Sequence, residues 1–197
     1  MEQQLNDLIG SRICHDLISP LGAIGNGVEL LTLSGASAAP EIALISESIE
    51  NANARIRFFR VAFGSAPKGS EIAERELRGI LRDMYRGSRL KIDWHIDSDL
   101  PRGEAKLAFL CLQCLESALP WGGQIRATRT EDGAWSLTAT GDRLKVDDPL
   151  WTLAADTWGG AEIQPSEVHF ALVNTTAKSL KRPVQVEHDP ERIALSF

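Results

Sequence analysis

Arg12–Leu31 reads RICHDLISPLGAIGNGVELL, and the spacing of its apolar residues decides what the first third of the chain becomes. Ile13, Leu17, Leu21, Ile24, Val28 and Leu31 recur at steps of three and four, the period of one helix face. Followed in both directions, the pattern predicts an amphipathic helix from about Gln3 to Leu33. At about 100° per residue His15 lies roughly 160–200° from both Ile13 and Leu17, so it points away from that face. Ser11, Arg12, Ile18, Ser19, Gly22 and Asn26 fall within about 60° of it. This strip is mostly small or polar, and small residues beside a nucleophile let another protein's backbone come close. Pro20 removes a hydrogen bond to the preceding turn, which predicts a kink just after the histidine.

Beyond this helix, TLSGASAAP at Thr32–Pro40 is a run of small residues and turn formers, with Pro40 suited to the first turn of a second helix. Ile42, Ile45, Ile49, Ala52, Ile56, Phe59 and Phe63 then alternate steps of three and four, as in a coiled-coil seam. Two antiparallel helices with such faces leave much apolar surface in water. The expectation is therefore a homodimer in which two hairpins make a four-helix bundle. GSAPKG at Gly64–Gly69 is a breaker-rich linker, which puts a helical domain at 1–64 and a second domain at 70–197.

In the second domain, helices are expected at Glu71–Gly87, Pro101–Leu119, Pro149–Asp156 and Ser166–Leu180. Strands are expected at Leu90–Asp97, in QIRATRT and AWSLTAT, and in PVQVEH and RIALSF near the end. The Glu131–Gly133 turn closes QIRATRT and AWSLTAT into a hairpin. The fold class is α+β: a helical hairpin, then helices covering one face of a largely antiparallel sheet.

Composition narrows the function classes. The chain has 197 residues, of which 43% are hydrophobic, and a formal charge of −6. An acidic surface argues against non-specific nucleic-acid binding, which needs cations to displace counterions. No apolar run reaches the roughly 18–20 residues of a membrane span, and MEQQLNDLIG lacks a basic signal-peptide start, so the expected place is the cytoplasm. Three cysteines are too few and too oddly numbered for a disulfide framework.

A lone surface histidine is ordinarily just a solvated side chain, but His15 has neighbours suited to phosphoryl chemistry. An imidazole with an ordinary pKa of about 6.5 is largely neutral and nucleophilic in a cell. Asp16 is placed to accept the hydrogen of one ring nitrogen and so present the lone pair of the other. Arg12, one turn earlier, is placed to pair with phosphoryl oxygens.

HDLISPL, His15–Leu21, resembles the H-box of histidine-kinase dimerisation domains, where the phosphoacceptor is followed by an acid and, a turn later, by Pro-Leu. The longer run CHDLISPLGAIGNGVELL is more similar still to the ChpT-type histidine phosphotransferases, dimeric intermediates of the bacterial cell-cycle phosphorelay. The order of elements agrees over essentially the whole chain, with the second domain resembling a degenerate form of the histidine-kinase ATP-binding α/β sandwich. The resemblance implies that His15 is the phosphoacceptor and Asp16 its orienting acid. It also implies docking through Arg12, Ile18, Ser19, Gly22 and Asn26, with receiver domains as partners on both sides of the transfer. No intrinsic cofactor is expected, magnesium coming with the receiver. A kinase of that fold would carry an Asn where this chain has Ser117-Ala118, and a DxGxG loop where it has GDRLKVDDP. The serine hydroxyl is a poor substitute for a magnesium-binding carbonyl, so no nucleotide site is expected. The rival readings are an ATP-dependent sensor-kinase core and a non-catalytic dimeric scaffold.

The remaining signals have plainer explanations. Cys111 and Cys114 lie on an apolar helix face and read as core, not as a redox or metal pair. His95, His169 and His188 read as structural, and no metal site is expected. Arg75, Arg78, Arg82, Arg86 and Arg89 form a basic stripe, either a solvated face or a surface that steers an acidic partner.

Overall fold

The structure, a computed structural model, describes residues 2–34, 39–155 and 163–197. Helix α1 (Glu2–Ser34) continues through Pro20, whose side chain is buried, and packs along α2 (Ala39–Ala62). Pro20 thus lies inside one helix, as the apolar period from Gln3 to Leu33 predicts. Of the expected connecting loop, residues 35–38 lie outside the described residues, as does Asp156 at the end of one expected helix.

The apolar seam of each helix divides into two rows. On α2, Ala52 and Phe59 are buried and Ile45 half-buried, whereas Ile42, Ile49 and Ile56 are exposed. On α1, Ile13, Leu17, Ile24 and Leu31 are half-buried, whereas Leu21 and Val28 stand out in solvent. The exposed residues repeat every seven positions, so one row closes the hairpin and the other stays exposed among the described residues. Gly27 sets how closely the two helices approach. A Cβ on it would come within 2.5 Å of Ile45 Cγ1.

After the linker come β1 (Glu71–Ile72), α3 (Glu74–Met84), β2 (Leu90–His95), β3 (Leu100–Pro101), α4 (Arg102–Ala118), β4 (Gly123–Arg129) and β5 (Trp135–Thr140). Helix α5 (Asp148–Ala155), a 3₁₀ turn (Pro165–Glu167), α6 (Val168–Leu180), β6 (Gln185–His188) and β7 (Arg192–Ser196) follow. The five-stranded sheet has the order β2-β4-β5-β7-β6, in which only the β2–β4 pairing is parallel, since α4 crosses between those strands. Gly133 turns the β4–β5 hairpin at φ 88°, a left-handed conformation that glycine adopts without steric cost.

Helix α3 starts three residues later than expected. Glu71–Ile72 instead pairs antiparallel with Leu100–Pro101, taking Pro101 as well out of the helix it was expected to open. Local periodicity does not register a partner so far along the chain. One sheet face carries the buried Trp94, Ile125, Ala127, Trp135, Leu137, Ala139, Ile193 and Leu195. The opposite face carries alternating, solvated polar residues. Helix α4 is buried on nearly every side between sheet, α6 and α2, which explains its near-continuous apolar sequence.

The 64–69 segment is a connection in the chain but not a gap in the packing. Leu5, Phe58, Phe59, Val61 and Ala62 of the hairpin belong to the same buried cluster as the α/β layer, and Phe58 packs on Phe109 of α4 with ring centroids 4.8 Å apart.

Candidate functional site

His15 sits about midway along α1 with its side chain 84% exposed. Its Nδ1 is 3.0 Å from Asp16 Oδ1. A carboxylate only accepts, so this contact puts the ring hydrogen on Nδ1 and turns the lone pair of Nε2 to solvent. Neighbouring helical residues diverge, and the contact forms because Asp16 is held in place. Only 9% of its side chain is exposed, with Oδ2 2.9 Å from Arg12 Nε and 4.0 Å from Arg55 Nη1. Arg55 arrives from α2, and nothing in the local sequence around His15 announces it.

Arg12 is engaged inward. Besides its ion pair with Asp16, it donates from Nη1 to the Ser166 carbonyl at 3.0 Å, joining the hairpin to the 3₁₀ turn before α6. The guanidinium expected beside incoming phosphoryl oxygens thus also ties α1 to that turn. Ile18 is 67% exposed, and Ser19, Gly22 and Asn26 are exposed with it. A Cβ built on Gly22 or Gly25 meets nothing within 4 Å, so the strip beside His15 is open. His15, Asp16, Ile18, Ser19, Gly22 and Asn26 thus share one region of α1. Leu21, expected in the hairpin seam, joins them at the surface.

At the end of α4, Ser117 and its neighbours make contacts within the chain. Ser117 Oγ donates to the Gln113 carbonyl at 2.9 Å and lies 3.1 Å from His169 Nε2. Burial, with a smaller contribution from Arg12, pushes the His169 pKa down to about 3, so that ring is neutral. Trp151 of α5 packs edge-on against Phe170 at 5.1 Å. A cavity of about 260 Å³ remains between Arg12, Ser117, Lys145, Trp151 and Phe170.

The other signals resolve into structure. Cys111 and Cys114 are buried in α4, and burial raises both thiol pKa values and so favours the protonated thiols. His95 pairs with Asp93 at 2.9 Å and His188 with Asp148 at 3.7 Å. Among the described residues no group of three or more His, Cys, Asp or Glu is arranged to hold a metal ion. Much of the basic stripe is answered by the chain's own acids: Arg78 by Glu74 and Asp97, Arg82 by Asp83 at 3.0 Å, and Arg86 by Glu50 at 3.1 Å. No helix is long and apolar enough to cross a membrane, among the described residues.

Three similarities bear on this arrangement. The family model of the histidine phosphotransferase C-terminal domain matches residues 74–192. The protein phosphotransferase ChpT of Brucella abortus (strain 2308) is 36% identical over 171 residues, 84% of this chain and 79% of that protein. A bacterial phosphotransferase of known structure superposes with a TM-score of 0.82 at 30% identity, covering 100% of this chain and 96% of the other.

Proposed function

The chain belongs to the histidine phosphotransferase family, and on that premise we propose that His15 is the residue that carries the phosphoryl group. Nε2 attacks the phosphorus of a receiver's aspartyl phosphate in line. The P–O bond to the receiver carboxylate breaks, an N–P bond forms, and the aspartate leaves with the bonding pair. Nδ1–H stays on the ring, and its hydrogen bond to Asp16 stabilises the positive charge that develops there. A second receiver's aspartate then attacks phospho-His15 and frees the imidazole for another cycle. Magnesium belongs to the receiver in both halves.

The observation that carries this reading is the outward Nε2, fixed by the Nδ1–Asp16 contact beside an open strip of Ile18, Ser19, Gly22 and Asn26. Phosphoryl transfer depends chiefly on position and charge stabilisation, so a rigid helix presenting one oriented imidazole supplies most of what this partner must. The receiver docks on that strip. A second copy of the chain covers the exposed heptad row of Leu21, Val28, Ile42, Ile49 and Ile56, completing a four-helix bundle. ATP is not the donor. Ser117 in the expected metal-binding position, with its hydroxyl committed to Gln113, and the packing of Trp151 on Phe170 support that part of the reading.

The test is to offer the purified protein a phosphorylated receiver domain and, separately, ATP with magnesium. The expected product is acid-labile, base-stable phosphate on His15 from the receiver alone. Label from ATP overturns the shuttle in favour of a kinase, and no label from either favours a scaffold.

A further inference from the structure

Asp16 is one largely buried carboxylate facing two guanidinium groups, Arg12 from its own helix and Arg55 from α2. Left so, the excess positive charge beneath His15 competes for the Asp16 oxygens and lowers the basicity of the ring. The second anion comes from the α/β layer. Glu116, in the last turn of α4, accepts a hydrogen bond from Tyr85 Oη at 3.0 Å, is attracted by Arg12 and Arg55, and is repelled more weakly by Asp16. Burial pushes the Glu116 pKa up, while the Tyr85 hydrogen bond and the two guanidiniums pull it back.

Tyr85 is itself buried just past α3. Its ring stands edge-on to Phe58 at 6.3 Å, and Phe58 lies one turn along α2 from Arg55. A half-buried carboxylate here adds little to stability that an apolar residue of similar size would not, so its charge invites another explanation. Neither Tyr85 nor Glu116 touches the reacting atoms.

We propose that Tyr85 and Glu116 are positioning residues: a strut from the α/β layer that balances Arg55 and Arg12, keeps Asp16 on Nδ1, and so holds the His15 ring with Nε2 outward. The proposal deepens the reading of His15 as phosphoacceptor and rests on it. The charged and titratable groups around the strut include Arg12, His15 and Asp16 on α1, Arg55 on α2, Tyr85 after α3, Arg89 beside Glu116 at the end of α4, and His169 of α6, which Arg12 influences.

The full-length protein tests this through two readouts on Glu116→Gln and Tyr85→Phe. The first is the His15 tautomer and titration, followed by imidazole nitrogen NMR. The second is the rate of phosphate uptake from a phosphorylated receiver. Glu116→Gln removes an anion, so the His15 pKa falls and the Nδ1–H tautomer becomes mixed. Uptake slows by about tenfold, the scale on which residues that orient a reactive group through another act. Tyr85→Phe shifts both readouts in the same direction and keeps the ring packing, so it carries the test if Glu116→Gln folds poorly. An unchanged His15 titration and tautomer in a folded variant overturns the strut, even if uptake falls. Failure of the unmodified protein to take phosphate on His15 overturns the phosphoacceptor reading instead, while the NMR shift still decides whether the strut exists.

Discussion

The helical hairpin and the α/β layer bury their apolar residues to different degrees. The α/β layer encloses its central helix: α4 lies between sheet and helices, and Gln113 and His169 are buried there. The hairpin is unfinished. It leaves Leu21, Val28, Ile42, Ile49 and Ile56 in water, and it displays its reactive imidazole at 84% exposure. In the proposed function the region that does the chemistry is the one that needs partners, and the enclosed region supplies support. The contact between them is continuous, since Phe58 and Phe59 of α2 share the core of the layer.

The largest expected effect separates chemistry from folding. His15→Ala abolishes phosphate uptake from a phosphorylated receiver, while its stability stays within about 0.5 kcal/mol of the unmodified protein, as for other exposed positions. A loss of melting temperature alongside activity would blur the contrast between displayed chemistry and buried support.

Phe58→Ala comes next, because it removes a ring packed against Phe59, Tyr85 and Phe109 where the two regions meet. It is expected to cost about 3–5 kcal/mol, read by chemical denaturation. A single transition in the unmodified protein would show that hairpin and layer unfold as one unit, and two separate transitions would make them independent.

Ile49→Glu tests the unfinished face directly. The side chain is 44% exposed in the single chain, so the monomer tolerates the charge, while a bundle interface does not. Sedimentation is expected to show a dimer turning into a monomer of unchanged helicity. A variant that stays dimeric would place the interface elsewhere.

In the layer, His169 predicts a pH dependence. Its folded pKa lies near 3, below the ordinary 6.5. As pH falls through 6.5 the unfolded chain takes up a proton that the buried ring refuses, so stability declines down to about pH 3. The slope is at most about 1.4 kcal/mol per pH unit. His169→Gln is expected to flatten thermal stability over that window, and a slope unchanged by the substitution would assign it to other groups.

The smallest effects compare two glycines of α1 that look alike in sequence. Gly22→Ala, with open space around its Cβ, gains up to about 1 kcal/mol of helix propensity. Gly27→Ala meets Ile45 at 2.5 Å and is expected to lose about 1–3 kcal/mol through overpacking. Equal melting temperatures for the two would mean that the helices separate easily at Gly27.

The amino-acid order alone determined a good deal here. Period 3.6 with an outward His15 marked the first helix and its reactive face, and steps of three and four marked the second. Alternation marked most of the sheet, because each of these signals lies within one element and reflects which of its sides meets water. Only the tertiary structure decided how each heptad seam divides into a buried and an exposed row, since a period says that a face is apolar but not which neighbour covers it. It also paired β1 with β3, turned Arg12 inward to Ser166, set Arg55 near Asp16 and brought Tyr85 against Glu116. Those contacts join residues tens of positions apart, and they exist only where packing closes the chain on itself.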